Sequence, residues 1–319
     1  MKKLIIYTLL LFLSNNIHAT QTSWSQWVQE LRQEAISKNI SPDLFDQVFS
    51  TIPAPDKKTL HLDRTQPEHR ITFIKYRTTR GDAYRIKLGQ QKYQKYQQLL
   101  EEIGDKYQVD PCFITALWGI ESSYGNYMGD FPVVKSLATL AYDSKRADFF
   151  RKELFYALQI LNEGHIKLED FKGEWAGASG QPQFLPSSWY RYAVDYSGDG
   201  KKDIWKNYPD AFASIANYLK QNGWQAGEPW AMEVRVPNGF DASLLGKEIK
   251  KTVYEWQQFG VRSGTQNLLP HSDLIASIIQ PYGGPYLMIF NNFSVIKRYN
   301  NSDFYAGTVG YIADSICQR

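Results

Sequence analysis

Glu121 combines an acidic side chain with an apolar setting, a combination that suits proton transfer. It lies in the stretch ALWGIESSYG at residues 116–125, after an otherwise apolar run. Ile114, Leu117 and Glu121 are spaced i, i+3 and i+7, so they share one face of a helix. Burial and the negative end of the helix dipole both disfavour a charged carboxylate. We therefore expect Glu121 to hold a proton near neutral pH, as a general acid must; a surface Glu at a fraying helix end is the alternative.

Capping residues mark both ends of the helix that carries Glu121. Asp110 is a favourable N-cap, and Pro111 suits the first helical position, where a missing N–H costs nothing. Gly125 is a natural stop. Glu121 is therefore predicted to lie in the last turn of its helix.

A glycine-rich segment, GEWAGASGQPQFLPSSW at residues 173–189, is a second candidate for a functional site. It lacks a preceding strand, the G-x-G-x-x-G spacing and a Lys-Ser/Thr pair, so we exclude a phosphate-binding loop. Its small residues let the backbone approach a bulky ligand closely. Gln183 could offer its amide to hydroxyl or acetamido groups of such a ligand; an ordinary tight loop is the alternative.

The segment DYSGDGKKD resembles the opening of an EF-hand calcium loop. Oxygen donors stand at positions 1, 3, 5 and 7 of that pattern: Asp195, Ser197, Asp199 and the carbonyl of Lys201. Gly200 supplies the sharp turn at position 6. Position 12 is Lys206 where a bidentate Glu is usual, so the loop is not a standard one, and an Asp/Gly-rich surface turn is the alternative.

The first residues, MKKLIIYTLLLFLSNNIHA, have the pattern of a secretory signal peptide cleaved after Ala19. The apolar run from Leu4 to Leu13 is shorter than the about 20 residues that a membrane span needs. No cysteine near Ala19 offers a lipid attachment site, so we expect an exported, soluble chain without a transmembrane segment. Removal of Lys2 and Lys3 lowers the formal charge from +3 to +1, which gives no reason to expect nucleic acid as a partner.

Cysteine and aromatic usage add two expectations. Cys112 and Cys317 are compatible with a disulfide in an oxidising compartment, or with two separate buried apolar side chains. Aromatic residues make up 15% of the chain, including 21 tyrosines. Such amphipathic rings suit a cleft that grips a sugar chain through apolar faces and hydroxyls.

The predicted fold class is α+β, mainly α-helical with one small β-rich insert. A single helix is expected over residues 136–161, whereas AMEVRVP, KKTVYEWQQFGV and GPYLMIF indicate strands. The predicted organisation, in chain order, is a signal peptide (1–19), an N-terminal helical region (20–80), a catalytic core (81–227), a β-rich domain (228–290) and C-terminal helices that return to the core (291–319).

From about Leu60 onward, the chain resembles the lytic murein transglycosylase B family. Six segments occur in the family's order: DRTQPEH (63–69), ALWGIESSYG (116–125), GEWAGASGQPQFLPSSW (173–189), DYSGDGKKDIW (195–205), DAFASIANYLKQNGW (210–224) and RYNNSDFYA (298–306). Six ordered segments are far more specific than any one of them.

This resemblance implies a lysozyme-like core that cleaves the MurNAc–GlcNAc β-1,4 bond of peptidoglycan in the periplasm. It implies Glu121 as the single catalytic acid and base, assisted by the substrate's own 2-acetamido and C6 hydroxyl groups. It also implies that Asp210 closes a lengthened calcium loop, with calcium structural and no cofactor needed for the chemistry. Glycan-contacting groups are expected at Gln183, Tyr218, Tyr299 and Tyr305.

Two residues depart from the family pattern. Glu174 stands where the family usually has a small polar residue, often Ser. Its carboxyl could be a second acid in the cleft, could raise the pKa of Glu121, or could point to solvent. Phe149 stands where Tyr is common, which would remove one hydroxyl contact with substrate.

Two other functions are weighed against the transglycosylase. A muramidase would hydrolyse the same bond with water, and Glu174 could support it. A non-catalytic cell-wall-binding scaffold would not need the acid, so Glu121 within its full motif argues against it. Peptidoglycan glycan strands are the expected partner, the chain is expected to be a monomer, and contacts with proteins of cell-wall synthesis or remodelling are left open.

Overall fold

The computed structural model describes residues 22–65, 71–265 and 268–318. The predicted signal peptide and residues 66–69 of the DRTQPEH segment lie outside these ranges. The helices are α1 (Trp24–Ser37), α2 (Pro42–Ser50), α3 (Lys57–Arg64), α4 (Phe73–Arg80), α5 (Ala83–Lys95), α6 (Gln97–Tyr107), α7 (Pro111–Ser122), α8 (Val133–Tyr142), α9 (Ala147–Asn162), α10 (Pro186–Tyr192), α11 (Tyr208–Gln221), α12 (Val253–Gln258), α13 (Asn291–Tyr299) and α14 (Asp303–Cys317). In the described part of the chain, none of the helices combines the length and hydropathy needed to cross a membrane.

Helix α7, which carries Glu121, lies at the centre of the helical core. Every residue from Cys112 to Gly119 is buried. Helices α5, α6, α11 and α14 pack around it. A helix that is apolar on all sides is stable only when it is enclosed in this way. The core therefore fixes α7 along most of its length, whereas Glu121 in its last turn is only partly buried.

A disulfide joins Cys112 at the start of α7 to Cys317 at the end of α14, with the two Cα atoms 6.3 Å apart. This resolves the alternatives that the sequence left open for these cysteines. The two helices that it joins also contribute facing side chains to the candidate site. Cys112 itself is buried, so the bond belongs to the core.

The small sheet lies between α11 and α13 in the chain. Five antiparallel strands form it in the order β4 (Lys251–Thr252), β6 (Ile275–Ile279), β7 (Tyr286–Ile289), β3 (Ala231–Arg235) and β5 (Arg262–Ser263). It has its own buried cluster, which includes Val234, Trp256 and Met288. A separate antiparallel pair is formed by β1 (Phe131–Pro132) and β2 (Lys172–Gly173). A mainly helical protein with a segregated sheet is what the sequence predicts.

Two predicted elements are wrong in detail. Residues 250–261 form only a two-residue strand and then helix α12, because Thr252 and Glu255 make a capping box that starts a helix there. The single helix predicted over residues 136–161 is two helices, α8 and α9. It is interrupted after Tyr142, where the Asp143 carboxylate pairs with Arg64 at 2.7 Å.

Candidate active site

Local capping determines where Glu121 lies. The Asp110 carboxylate accepts a hydrogen bond from the Cys112 N–H at 2.9 Å, so α7 begins where the sequence predicts. It ends at Ser122, because Ser123 and Tyr124 adopt left-handed conformations with φ of 51° and 60°. Glu121 is therefore in the last turn, partly buried.

Tyr305 is the direct partner of the Glu121 carboxyl. Its hydroxyl donates to Oε1 of Glu121, although the two residues are 184 positions apart in the chain. Burial raises the pKa of Glu121, the Tyr305 hydrogen bond lowers it, and the nearby Glu174 charge raises it again, to about 7 in all. The direction of this shift is the one expected for a general acid, and burial is its largest cause.

The charge of Glu174 acts on the Glu121 carboxyl. The residue is partly buried, and its own pKa is raised first by burial and then by the charge of Asp130. The loop that carries it comes close to the turn after α7: a Cβ on Gly129 would lie 2.1 Å from the Gly173 carbonyl carbon, and φ at Gly129 is +91°. Only glycine allows that approach. Of the three interpretations of Glu174, an influence on the pKa of Glu121 agrees with this placement.

Three tyrosines form a wall beside Glu121, which we call the tyrosine wall: Tyr192, Tyr218 and Tyr299. The ring centres of Tyr192 and Tyr218 are 4.5 Å apart, and those of Tyr218 and Tyr299 are 4.6 Å apart. The Tyr299 hydroxyl donates to the Pro182 carbonyl at 2.5 Å. Burial raises the pKa of Tyr218 and Tyr299, and the Glu121 charge adds to both shifts. Two of the predicted glycan-contacting tyrosines therefore lie within electrostatic reach of Glu121.

Gln183 lies beside this wall with a left-handed backbone, φ 51°. Its Nε2 donates to the carbonyls of Met128, at 3.0 Å, and Gly180, at 2.9 Å. Its Oε1 is buried and accepts no hydrogen bond from the described residues. The predicted amide donor is thus committed to the backbone, and the oxygen is the group left for a further partner.

Phe149, by contrast, has no described contact with Glu121 or the tyrosine wall. It lies on α9 with 40% of its surface exposed, edge-on to Phe150 and below the Arg146 guanidinium. Its placement offers no support for a role at the reacting bond.

Sequence reasoning missed Gln181, two residues before the glutamine that it named. Gln181 is buried; its Oε1 accepts from the Trp118 indole N–H at 2.6 Å and its Nε2 donates to the Trp205 carbonyl at 3.1 Å. Its backbone N–H donates to Ile204 at 2.9 Å. Gln181 therefore ties α7 to the loop after α10. No local signal distinguishes it from Gln183 in the GQPQF sequence.

Arg85 and Tyr76 were also missed. The Arg85 guanidinium donates to the Gly119 carbonyl near the end of α7, and its Nε is buried without a described partner. A cation at this end complements the helix dipole. Tyr76 packs edge-on against Phe304, and its pKa is raised by burial, lowered by Arg80 and raised by Glu121. Both residues precede the segments with obvious chemistry.

The residues predicted to bind metal do converge. Carboxylate oxygens of Asp195, Asp199 and Asp210 all lie within 4.8 Å of one another. Asp210 is buried, and its two oxygens accept the backbone N–H groups of Tyr196, Ser197 and Asp203, each at 2.9 Å. The donors are all oxygen, which is the ligand type that calcium takes.

Two other expected features of this loop can be placed. Ser197 lies beside Asp195, with its hydroxyl 3.4 Å from Oδ1, and Lys201 donates its N–H to Asp199 at 2.9 Å. Lys206, at the position where an EF-hand has Glu, instead forms a 2.7 Å ion pair with Asp170.

Comparison with known proteins identifies the family of the chain. The family model described as the transglycosylase SLT domain matches residues 23–314. Membrane-bound lytic murein transglycosylase B of Escherichia coli (strain K12) is 31% identical over 253 residues, which are 76% of this chain and 67% of that protein.

Solved structures agree as well. SltB3 from Pseudomonas aeruginosa, in complex with NAG-anhNAM-pentapeptide, is 42% identical with a TM-score of 0.89, over 92% of this chain and 80% of that one. The Escherichia coli lytic transglycosylase SLT35, in complex with calcium, is 28% identical with a TM-score of 0.76, over 91% of this chain and 92% of that one. The expected lysozyme-like fold is thereby confirmed. The chain belongs to the transglycosylase SLT domain family, that of the lytic murein transglycosylases.

Proposed function

We propose that this protein cleaves the MurNAc–GlcNAc β-1,4 bond of peptidoglycan without water and leaves a 1,6-anhydroMurNAc end. The observation that carries the proposal is the state of Glu121: a carboxyl in the last turn of a buried helix, with its pKa raised to about 7 chiefly by burial. Such a group can both give and take a proton at neutral pH. The Escherichia coli relative is named as a murein transglycosylase, and SltB3 of Pseudomonas aeruginosa was solved in complex with NAG-anhNAM-pentapeptide. Both support peptidoglycan as the substrate class.

In the first step, protonated Glu121 donates its proton to the glycosidic oxygen, and the bond from that oxygen to C1 of MurNAc breaks. The carbonyl oxygen of the 2-acetamido group attacks C1 and takes the place of the leaving sugar. The hydroxyl of Tyr305 remains hydrogen-bonded to Glu121 and stabilises the carboxylate that forms.

In the second step, the Glu121 carboxylate removes the proton of the C6 hydroxyl. The C6 oxygen then attacks C1 and displaces the acetamido oxygen, which closes the 1,6-anhydro ring and returns Glu121 to its protonated form. Water must be kept from C1 for this outcome. The tyrosine wall supplies apolar faces for that purpose, and Tyr218 and Tyr299 are the proposed glycan contacts with Gln183.

Hydrolysis of the same bond is the second candidate, because Glu174 brings a second carboxyl close enough to influence Glu121. Ordinary glycosidases use two carboxylates, with the second as nucleophile or as the base that activates water. We assign Glu174 a role in setting the proton affinity of Glu121, because its charge raises the pKa of that carboxyl.

We further propose a structural calcium ion held by Asp195, Asp199 and Asp210, with Ser197 and the Lys201 carbonyl as further oxygen donors. The convergence of three carboxylates fits a hard cation. When bound, the ion would supply charge neutralisation that fixes the loop. The complex of SLT35 with calcium supports this assignment.

For localisation, we propose export to the periplasm, where the peptidoglycan substrate lies. The signal-peptide pattern of residues 1–19 supports export. The Escherichia coli relative is named as membrane-bound, so fractionation after a high-salt wash is the direct test. Recovery of most of the mature protein with the membranes would contradict a soluble periplasmic form.

Matched amide substitutions test the proposed acid. Glu121→Gln keeps the shape of the side chain but cannot donate a proton in acid catalysis, so the rate on purified sacculi should fall by at least about 10⁴-fold. Glu174→Gln should lower the rate only modestly.

Folding is checked on the same variants. The pKa of Glu121 is raised from 4.5 to about 7, so this carboxyl lowers stability progressively between these pH values and by the full amount at pH 8. Glu121→Gln should therefore melt no lower than the wild type at pH 8. Equal inactivation by Glu121→Gln and Glu174→Gln would contradict Glu121 as the single catalytic acid and base.

A further inference from the structure

The turn that follows Glu121 has an unusual backbone. Three consecutive residues are left-handed, with φ of 51° at Ser123, 60° at Tyr124 and 82° at Gly125. Glycine adopts this conformation freely, but a residue with a Cβ loses free energy in it, and a bulky ring such as that of Tyr is rarely found there. Contacts from other elements must therefore hold Ser123 and Tyr124 in place.

Arg85 on α5 makes polar contacts on both sides of Glu121. Its Nη1 donates to the Gly119 carbonyl, and also to the Ser123 hydroxyl at 3.4 Å. The Arg85 carbonyl accepts a hydrogen bond from the Tyr124 hydroxyl at 3.0 Å. One residue of α5 thus bonds α7 two positions before Glu121 and the left-handed turn two and three positions after it.

The ring of Tyr124 is packed between α5 and α7, with 1% of the residue exposed. A Cβ on Gly119 would lie 2.4 Å from the ring, and one on Gly89 of α5 would lie 2.3 Å from the hydroxyl. Trp118 meets the ring edge-on, with the ring centres 5.4 Å apart. The two glycines let the ring approach both helices, so the Tyr124 hydroxyl is held against the Arg85 carbonyl.

The same turn meets the loop that carries Gln183. A Cβ on Gly125 would lie 2.5 Å from Oε1 of Gln181 in that loop. Further along the chain, the Met128 carbonyl accepts a hydrogen bond from Gln183 at 3.0 Å. A shift of the turn would therefore move Glu121 relative to a proposed glycan contact.

Stability alone does not explain this arrangement. The Arg85 Nε is buried and has no hydrogen-bond partner among the described residues, and a buried unpaired donor costs free energy. The left-handed Ser123 and Tyr124 add a further cost. A cation that served only the dipole at the end of α7 could lie in solvent with neither cost. Such costs are typical of sites where the position of a functional group matters.

We propose that Arg85 is a positioning residue for Glu121, because it fixes the last turn of α7 from both sides and so holds the carboxyl in place for proton transfer. The proposal rests on the proposed function, in which Glu121 is the acid and base. Proton transfer needs hydrogen-bond reach between the carboxyl and the glycosidic oxygen, and a displacement of about 1 Å can lower a rate about 100-fold. Arg85 acts through the backbone of α7.

Two substitutions of Arg85 test the proposal, with kcat and KM measured on soluble glycan strands well below the melting temperature of each variant. Arg85→Met keeps an apolar stem but removes the charge and all donors. Its kcat should fall about 10- to 100-fold and its kcat/KM by the same factor, so that KM stays within about twofold of the wild type. Arg85→Lys can still donate to the Gly119 carbonyl but lacks the planar fork, so it should lose only about 3- to 10-fold.

The pH profile separates positioning from proton affinity. The influences on the pKa of Glu121 are burial, the Tyr305 hydrogen bond and the Glu174 charge, which together bring it to about 7. Arg85→Met should therefore lower kcat/KM at every pH and leave the decline above about pH 7 in place.

Lys87→Met is the matched control, since Lys87 is an exposed cation two residues further along α5. It should keep the wild-type kcat, KM and pH profile. Circular dichroism and melting curves establish that each variant is folded. If Arg85→Met does not fold, the kcat and pH profile of Arg85→Lys decide the test.

A folded Arg85→Met with the wild-type kcat would overturn the proposal and leave Arg85 with a structural role only. A wild-type rate at acidic pH combined with a displaced decline would overturn it as well, since Arg85 would then set proton affinity. Activity retained by Glu121→Gln would instead contradict the proposed function. An inactive Glu121→Gln beside a fully active Arg85→Met would contradict the proposal for Arg85 alone.

Discussion

Glu121 experiences opposing influences that set the pH at which it can act. Burial and the charge of Glu174 raise its pKa, whereas the hydrogen bond from Tyr305 lowers it, with a result of about 7. Acid catalysis needs the protonated form, so kcat/KM should fall as the pH rises above about 7. Glu174→Gln removes a raising influence and should move this limb to lower pH. Tyr305→Phe removes a lowering influence and should move it to higher pH.

The measurement is kcat/KM on soluble glycan strands from pH 5 to pH 9. Glu169→Gln provides the control, because it removes an exposed carboxylate nearby in the chain that does not act on Glu121. Coincident limbs for wild type, Glu174→Gln and Tyr305→Phe would show that these neighbours do not set the pKa.

The disulfide acts at the scale of elements, since it joins the helix of Glu121 to the helix of Tyr305. It closes a loop of 205 residues in the unfolded chain. Replacing both cysteines by alanine should therefore lower the free energy of unfolding by about 2–4 kcal/mol, as measured by urea denaturation. Helices α7 and α14 remain packed together, so activity well below the melting temperature should be largely kept.

A reducing agent should lower the stability of the wild type by a similar amount and leave the double variant unchanged. Equal unfolding midpoints for the oxidised wild type and the double variant would contradict a stabilising disulfide.

The loop between α10 and α11 should respond to calcium. Bound at 100 times its dissociation constant, a ligand stabilises the native state by about 2.7 kcal/mol, so the melting temperature should rise with calcium. Asp199→Ala should abolish the rise. Asp170→Ala should retain it, because Asp170 pairs with Lys206 outside the carboxylate cluster. Identical wild-type melting curves with calcium and with chelator would exclude the site.

Across the whole molecule, the sequence predicted those features that depend on neighbouring residues, such as the start of a helix. Asp110 and Pro111 start α7 as predicted, and Glu121 lies in its last turn. The helix ends at Ser122, before the predicted stop at Gly125, because Ser123 is already left-handed. The capping box that starts α12 was an equally local signal, but the β-branched residues around it indicated a strand. Periodicity likewise missed the break after Tyr142, where a distant Arg64 pairs with Asp143.

Contacts between residues that are far apart in the chain could not be predicted from local sequence signals. The hydrogen bond from Tyr305 to Glu121 spans 184 residues, and the family resemblance indicated Tyr305 only as a glycan-contacting residue. The disulfide could not be decided, because separation in sequence says nothing about distance. The link from Gln181 to Trp118 needed coordinates, since either glutamine of GQPQF could have been the buried one.

The mass of the products tests the central claim most directly. Digests of purified sacculi by the wild-type protein, analysed by mass spectrometry, should contain muropeptides that end in 1,6-anhydroMurNAc. These are lighter by one water than hydrolytic products and cannot be reduced by borohydride. Glu174→Gln should give the same products, and Glu121→Gln should release almost none. Products that end predominantly in reducible MurNAc would contradict the transglycosylase mechanism and identify a hydrolase.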